Sequence, residues 1–184
     1  MQGQTRDQVV IFRFEDTKPG IWKITVTSRQ DNPRYHMWLP ITQFLEGETV
    51  FTRPNPDTTI CEPGNARNAI TISAYNPVNQ AFYAQASRGF TPNGIIKPDV
   101  TAPGVEIFGP YPRKQYGTMT GTSVAAAVTT GIAALFLQQF DVFELNGNIV
   151  PELLIRGASP RGEEYPSREW GYGTVDAYES ITFE

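Results

Sequence analysis

Hydrophobic and polar positions alternate through the first part of the chain. Val9, Val10, Ile11, Phe12 and Phe14 make one short apolar run, and Lys18-Pro19-Gly20 supplies a turn. Beyond it Ile21, Lys23, Thr25 and Thr27 fall on one face of an extended segment, with Trp22, Ile24 and Val26 on the other. That period of two predicts a half-buried antiparallel strand. Asp31-Asn32-Pro33 gives a second turn, and residues 35–39 a third strand that Pro40 closes. Three strands with one apolar face need a second sheet to cover it. Residues 1–50 therefore read as the last strands of a β-sandwich, with a small self-sufficient sheet as the alternative.

The pattern changes after residue 50. Residues 41–60 are loop, with turn chemistry at Glu46-Gly47-Glu48 and Pro54-Asn55-Pro56-Asp57. Residues 69–75 are short and β-branched, which predicts a buried strand, and residues 81–87 predict another. The proline-rich stretch 91–112 reads as loop with one short strand. One long helix is predicted over residues 123–140, where the alanines at 125, 126, 127, 133 and 134 precede Leu135, Phe136 and Leu137. It is apolar nearly all round, as a buried helix is. A second helix is predicted over 151–157, opened by Pro151 and ended by Gly157, and a last strand and helix over 173–180.

Composition narrows the functions. With 184 residues the chain is one domain, or one plus part of another. The 15 Lys and Arg are scattered among 19 Asp and Glu, giving a net charge of −4, which argues against a nucleic-acid partner. The single Cys61 and single His36 cannot form a metal quartet, and neither a metal nor another cofactor is expected. The longest apolar candidate, residues 124–140, is interrupted by Thr129, Thr130, Gly131, Gln138 and Gln139, so no membrane partner is expected. The N-terminus has no apolar signal core and enters a strand pattern abruptly, as an internal fragment does.

The richest chemistry lies in Gly117-Thr118-Met119-Thr120-Gly121-Thr122-Ser123-Val124-Ala125-Ala126-Ala127. Two glycines and several hydroxyls run into the alanine helix, which holds a hydroxyl at its first turn. Unpaired N–H groups and the positive end of the dipole favour an anion there. A nucleophilic Ser at that place would gain both an oxyanion donor and a stabilised alkoxide. Taken alone, the segment reads first as an ordinary N-cap, as Thr-Ser before an alanine helix usually is.

Its context resembles the C-terminal half of the subtilisin-like serine proteases. Lys97-Pro98-Asp99-Val100-Thr101-Ala102-Pro103-Gly104 followed by Gly121-Thr122-Ser123-Val124-Ala125 is similar to that family's K-P-D-x-x-A-P-G and G-T-S-x-A segments. Pro63-Gly64, Ala86-Ser87-Arg88-Gly89 and Gly171-Tyr172-Gly173-Thr174-Val175-Asp176-Ala177 match further family motifs in order, so that the likeness covers residues 60–180. The resemblance implies the C-terminal part of a three-layer α/β/α domain over residues 51–184. It also implies Ser123 as nucleophile, Gly121 and Thr122 as the nucleophile loop, and peptides or proteins as substrates. Cys61 and Gly64 would lie at the substrate pocket, although a small buried hydrophobe is the plainer reading of Cys61. Asp99 and Asp176 would be structural.

In this family the triad runs Asp, His, Ser along the chain. No D-[ST]-G or H-G-[TS] motif occurs before Ser123, His36 sits in a strand pattern, and Gly64-Asn65 falls in the wrong place to supply the oxyanion amide. Base, orienter and amide are thus expected on a missing N-terminal half of the catalytic domain. Without a base, Ser123 is a weakly nucleophilic alcohol. The helix reads Ser123-Val124-Ala125-Ala126-Ala127 without the usual Pro-His. With the sandwich-like N-terminus, this resembles the bacterial branch with an inserted jelly-roll domain that includes spore-germination proteases. Secreted, cell-surface and spore-associated settings all stay open.

Three functional readings follow: part of an endopeptidase, part of a pseudoprotease scaffold, and, last, a β-sandwich binding module with a non-catalytic tail. Half a sheet would leave an open edge and a bare helix face. Self-association, or disorder of residues 1–60 or 105–118, is the expected consequence.

Overall fold

The computed structural model describes residues 9–29, 31, 33–40, 42–45, 47–139 and 149–182. Internal contacts divide the chain into two units, Met1–Tyr35 and His36–Glu184. In the first, the turn at Lys18-Pro19-Gly20 folds the chain back so that Phe14 and Trp22 meet edge to face at 5.8 Å. The Trp22 indole N–H donates to Lys18 O. The expected strands at 9–14 and 21–27 do not pair into a ladder, and both faces of the alternating segment are exposed. A strand exists only with a partner for its N–H and C=O groups, and the described residues provide none. The third segment, 35–39, likewise carries no ladder. His36 and Trp38 belong to the second unit, where the Trp38 indole donates to Thr58 O at 3.0 Å.

The second unit is built on a parallel pair, β1 (Ile72–Tyr75) and β2 (Val100–Pro103), in register Ile72 to Val100 and Tyr75 to Pro103. Thr174 bridges parallel to Thr101 and antiparallel to Ser159, so two further backbone segments continue the sheet on the β2 side. An antiparallel hairpin follows, β3 (Ile107–Tyr111) and β4 (Gln115–Met119). Among the described residues the helices are α1 (Thr122–Gln139), α2 (Ile149–Arg156) and α3 (Ala177–Thr182), with a 3₁₀ turn at Thr42–Phe44.

The three expected helices form close to their expected places; Phe140 lies outside the described residues. Two expectations need correcting. Residues 81–87 make only one antiparallel bridge, Phe82 to Tyr75, before a tight turn in which Ala86 N donates to Tyr83 O. The stretch 91–112, expected as loop with one short strand, carries two, β2 and β3, and β3 pairs with β4 in the hairpin.

Two apolar clusters hold the unit together. Ala74 of β1, Ala102 of β2 and Ala125 of α1 form one, and their small size brings the helix close to the sheet. Val100, Phe136, Leu153 and Leu154 form the other, joining β2, the C-terminal half of α1, and α2. Thr129 can be buried in α1 because its hydroxyl donates to Ala125 O, as that of Thr130 does to Ala126 O. By length and apolarity alone α1 could cross a membrane, but its Ala125 face belongs to this core. The expectation of a fully buried helix is not met. Only Ala125, Thr129 and Phe136 are buried along α1, and Leu135 and Leu137 are exposed, because the described elements cover one side of it.

The Lys97-Pro98-Asp99 segment has a structural task. Lys97 is 2% exposed, and its ammonium pairs with Asp99 Oδ2 at 2.7 Å while also donating to Ala69 O. The same carboxylate oxygen accepts from Thr71 N, and Asp99 N donates to Thr71 O. The charged pair thus ties the entry of β1 to the entry of β2. Asp176 caps α3 through Oδ1, which accepts from the Tyr178 and Glu179 amides.

Candidate active site at the start of helix α1

Ser123 is the second residue of α1 and its side chain is exposed. Gly121 ends the preceding turn at φ 153°, a conformation that strongly favours glycine, and its carbonyl accepts from Val124 N and Ala125 N. Among the described residues the Thr122 and Ser123 amides have no hydrogen-bond partner. The first turn of α1 carries no acidic side chain, so the positive end of the helix dipole is uncompensated beside the Ser123 hydroxyl.

A short relay of backbone bonds fixes this turn to the sheet. Gly104, just past β2, donates to Tyr75 O at the end of β1, and its own carbonyl accepts from Gly121 N at 2.8 Å. Thr120 Oγ1 accepts from Glu106 N. Gly104 is also wedged: a Cβ there would stand 2.8 Å from both the Ala74 Cβ and Gly121 O, and 3.1 Å from the Ala125 Cβ. Gly104→Ala should therefore push α1 and the nucleophile turn away from the sheet. A loss of about 1–3 kcal/mol is expected from such overpacking, measurable as a lowered urea midpoint of the chain.

A cleft of about 180 Å³ opens at the same end of the helix. Thr122 forms part of its wall, with Cys61 and Gly64. The exposed Cys61 thiol contacts Thr59 O at 3.6 Å, which does not fit the alternative of a small buried hydrophobe. Gly64 O accepts from the Thr71 hydroxyl. Of the five residues singled out by sequence, the cleft brings together Cys61, Gly64 and Thr122, while Gly121 and Ser123 lie next to Thr122 along the chain and not in the wall itself.

The rest of the wall was not anticipated as site. Ser73 comes from the β1 face opposite Ala74, which the strand's alternation implies, and Thr71 immediately precedes the strand; a Ser inside a β-branched strand was the available signal. Gln85 and Ser87 come from the loop after Phe82. That loop is held by Thr59 N donating to Arg88 O, Gly89 N to Arg168 O, and an Arg88–Glu169 ion pair at 2.8 Å. Among the described residues the wall contains no His, Asp or Glu. His36 instead stacks on Trp38 at 5.4 Å.

The remaining family-like motif is architectural. Thr101 N donates to Gly173 O, Val175 N to Thr101 O, and Tyr172 N to Asp99 O, which lays residues 171–175 beside β2.

Known proteins match this arrangement. The subtilase family profile matches residues 47–173. The serine protease AprX of Bacillus subtilis is 37% identical over 147 residues, covering 68% of this chain and 33% of that protein. The C5a peptidase of Streptococcus pyogenes serotype M18 is 29% identical over 150 residues, covering 76% of this chain and 13% of that protein. The solved CspB protease of Clostridium perfringens superposes with a TM-score of 0.68 at 32% identity, over 72% of this chain and 30% of that one. The chain thus spans a third or less of the length of these relatives. Its fold is the subtilisin-like α/β fold, and the chain belongs to the subtilase family.

Proposed function

We propose that the protein containing this chain is a serine endopeptidase that cleaves peptide bonds through an acyl-enzyme on Ser123. The observation that carries this is the exposed Ser123 hydroxyl on a helix N-terminus whose neighbour, Thr122, walls a cleft shared with Cys61 and Gly64. In this reading the Ser123 Oγ attacks the scissile carbonyl and its proton passes to a base. The resulting oxyanion accepts from the Ser123 amide. The C–N bond then breaks, the amine leaves with that proton, and water hydrolyses the ester. The cleft receives the side chain on the acyl side of the scissile bond.

The base and its orienter are assigned to the part of the catalytic domain that precedes this chain. This agrees with the absence of D-[ST]-G and H-G-[TS] motifs ahead of Ser123. Residues 1–50 are read as the end of an inserted β-sandwich, supported by their alternation. The exposed apolar side chains Leu135 and Leu137 of α1 support self-association of the chain on its own.

A fluorophosphonate probe separates the possibilities. In the intact protein it should label Ser123 rapidly, and the isolated 184-residue chain should react no faster than an ordinary serine. Rapid Ser123-dependent labelling of the isolated chain would overturn the assignment of the base to another segment. No labelling of the intact protein would favour the second reading, a subtilase-fold scaffold without catalysis, which the His- and carboxylate-free wall of the cleft also permits.

A further inference from the structure

We propose that Thr59 is a positioning residue for the acyl-side cleft. Its hydroxyl holds two of the chain segments that wall the cleft at a fixed spacing. Through that spacing it sets how sharply substrates are told apart by the residue on the acyl side of the scissile bond. The inference rests on the protease reading above and goes further, to what tunes its specificity.

The two segments are residues 60–64, which give Ile60, Cys61 and Gly64 to the wall, and residues 85–87, which give Gln85 and Ser87. Neither belongs to a strand or a helix, so no ladder fixes their separation. They meet where Thr59 precedes the first and Arg88 follows the second. Thr59 N donates to Arg88 O at 2.9 Å, and Thr58 N donates to Gly89 O at 3.3 Å. Arg88 N donates back to Thr59 Oγ1 at 3.0 Å, and the Thr59 hydroxyl proton goes to Pro56 O at 2.8 Å. A single hydroxyl thus accepts from one segment and donates to the turn that leads into the other. The backbone bonds fix where the segments touch, and the hydroxyl fixes the angle at which they diverge.

Both sides of this joint are braced from outside the cleft. Thr58 stands at φ 60°, a left-handed conformation unfavourable for a β-branched residue, and its carbonyl accepts from the Trp38 indole at 3.0 Å. Strain of that kind persists only where the surroundings impose it. The Arg88 guanidinium pairs with Glu169 at 2.8 Å and lies over the Phe82 ring at 5.4 Å. Gly89 packs so tightly on Lys97 O that a Cβ would overlap it. Residues 88–89 are therefore anchored to the body of the unit, and Thr59 ties the 60–64 wall to that anchor.

The test measures kcat/KM of the intact protein on peptides differing only in the acyl-side residue, with Ala, Leu, Gln and Phe as the series. Thr59→Val keeps the shape of the side chain and removes both of its hydrogen bonds. The spread between the best and the poorest peptide should narrow about 3–10-fold, the worth of one neutral hydrogen bond. The loss on the best peptide should appear in KM rather than kcat. Thr59→Ser, which restores the hydroxyl, should return the spread close to that of the unaltered protein. Fluorophosphonate labelling of Ser123 should be equally fast in all three, since the reacting hydroxyl is untouched. Glu169→Gln releases the brace on Arg88 from a pair 28% and 35% exposed. It should narrow the spread in the same direction, and it carries the comparison if Thr59→Val does not fold. A spread unchanged in every variant that folds, or an equal loss on every peptide, overturns the inference, while Ser123-dependent cleavage keeps the protease reading intact. Absence of cleavage of every peptide by the unaltered protein, with Ser123 unlabelled, overturns the protease reading and this one with it.

Discussion

Ser123→Ala should lower peptide hydrolysis by the intact protein about 10⁶-fold in kcat, the loss recorded for the nucleophile in subtilisin itself. The size of the effect follows from the role. Alanine cannot form the ester, so only binding and the oxyanion amide remain to assist the reaction. Stability should hardly change, because the side chain is exposed and the cap of α1 is made by the Gly121 carbonyl rather than by the Ser123 hydroxyl. Steady-state kinetics on a peptide substrate, together with a thermal melt, checks both halves. Turnover within about 10-fold of the unaltered protein, with the fold intact, would remove Ser123 from the reaction.

Lys97→Met should cost about 3–5 kcal/mol of stability, the usual penalty for breaking a buried ion pair from one side. The side chains of Lys97 and Asp99 are 2% and 14% exposed, so water screens the pair little. Methionine keeps much of the length and apolar contact of the lysine stem. What is lost is the charge that balances the Asp99 carboxylate and the bond to Ala69 O. Among the described residues the carboxylate then retains only the Thr71 amide as a partner. Pairing Lys97→Met with Asp99→Asn should recover part of the loss, since a neutral amide tolerates burial better. Urea titrations of the single and double variants measure the coupling. Additive costs in that cycle would mean that the two side chains do not act as a pair.

Much of the second unit was legible from residues alone. The start of α1 could be placed within one residue because Gly121 and the alanines beyond Ser123 give a sharp local signal that tertiary packing does not override. β1 was legible from its β-branched run. The β3–β4 hairpin was not, because Pro110 and Pro112 argue against a strand. In a two-stranded ribbon every strand is an edge, and Pro110 sits opposite Tyr116 where its missing N–H is tolerated. The cleft was only partly legible. Cys61 and Gly64 came from the family-like Pro-Gly turn, whereas Ser73 and Gln85 meet them through strand parity and a fold-back at Phe82. Those are facts of pairing, not of local pattern. At the N-terminus the alternation of residues 21–27 was read correctly as alternation, yet a ladder depends on a partner that the segment does not itself encode.

The hairpin also has a consequence for how this architecture accommodates change. It leaves the sheet just after Gly104 and returns at Gly121, and those two residues are hydrogen-bonded to each other, with Glu106 N and Thr120 Oγ1 adding a second tie. The excursion is stapled shut at its base. Its tip, Pro112-Arg113-Lys114, is an exposed turn at the far end of the two strands, and closing a longer loop there adds little entropic cost. Extra sequence spliced into that tip, whether by natural drift or by an engineer adding a reporter, would be insulated from the reactive serine by its own stem.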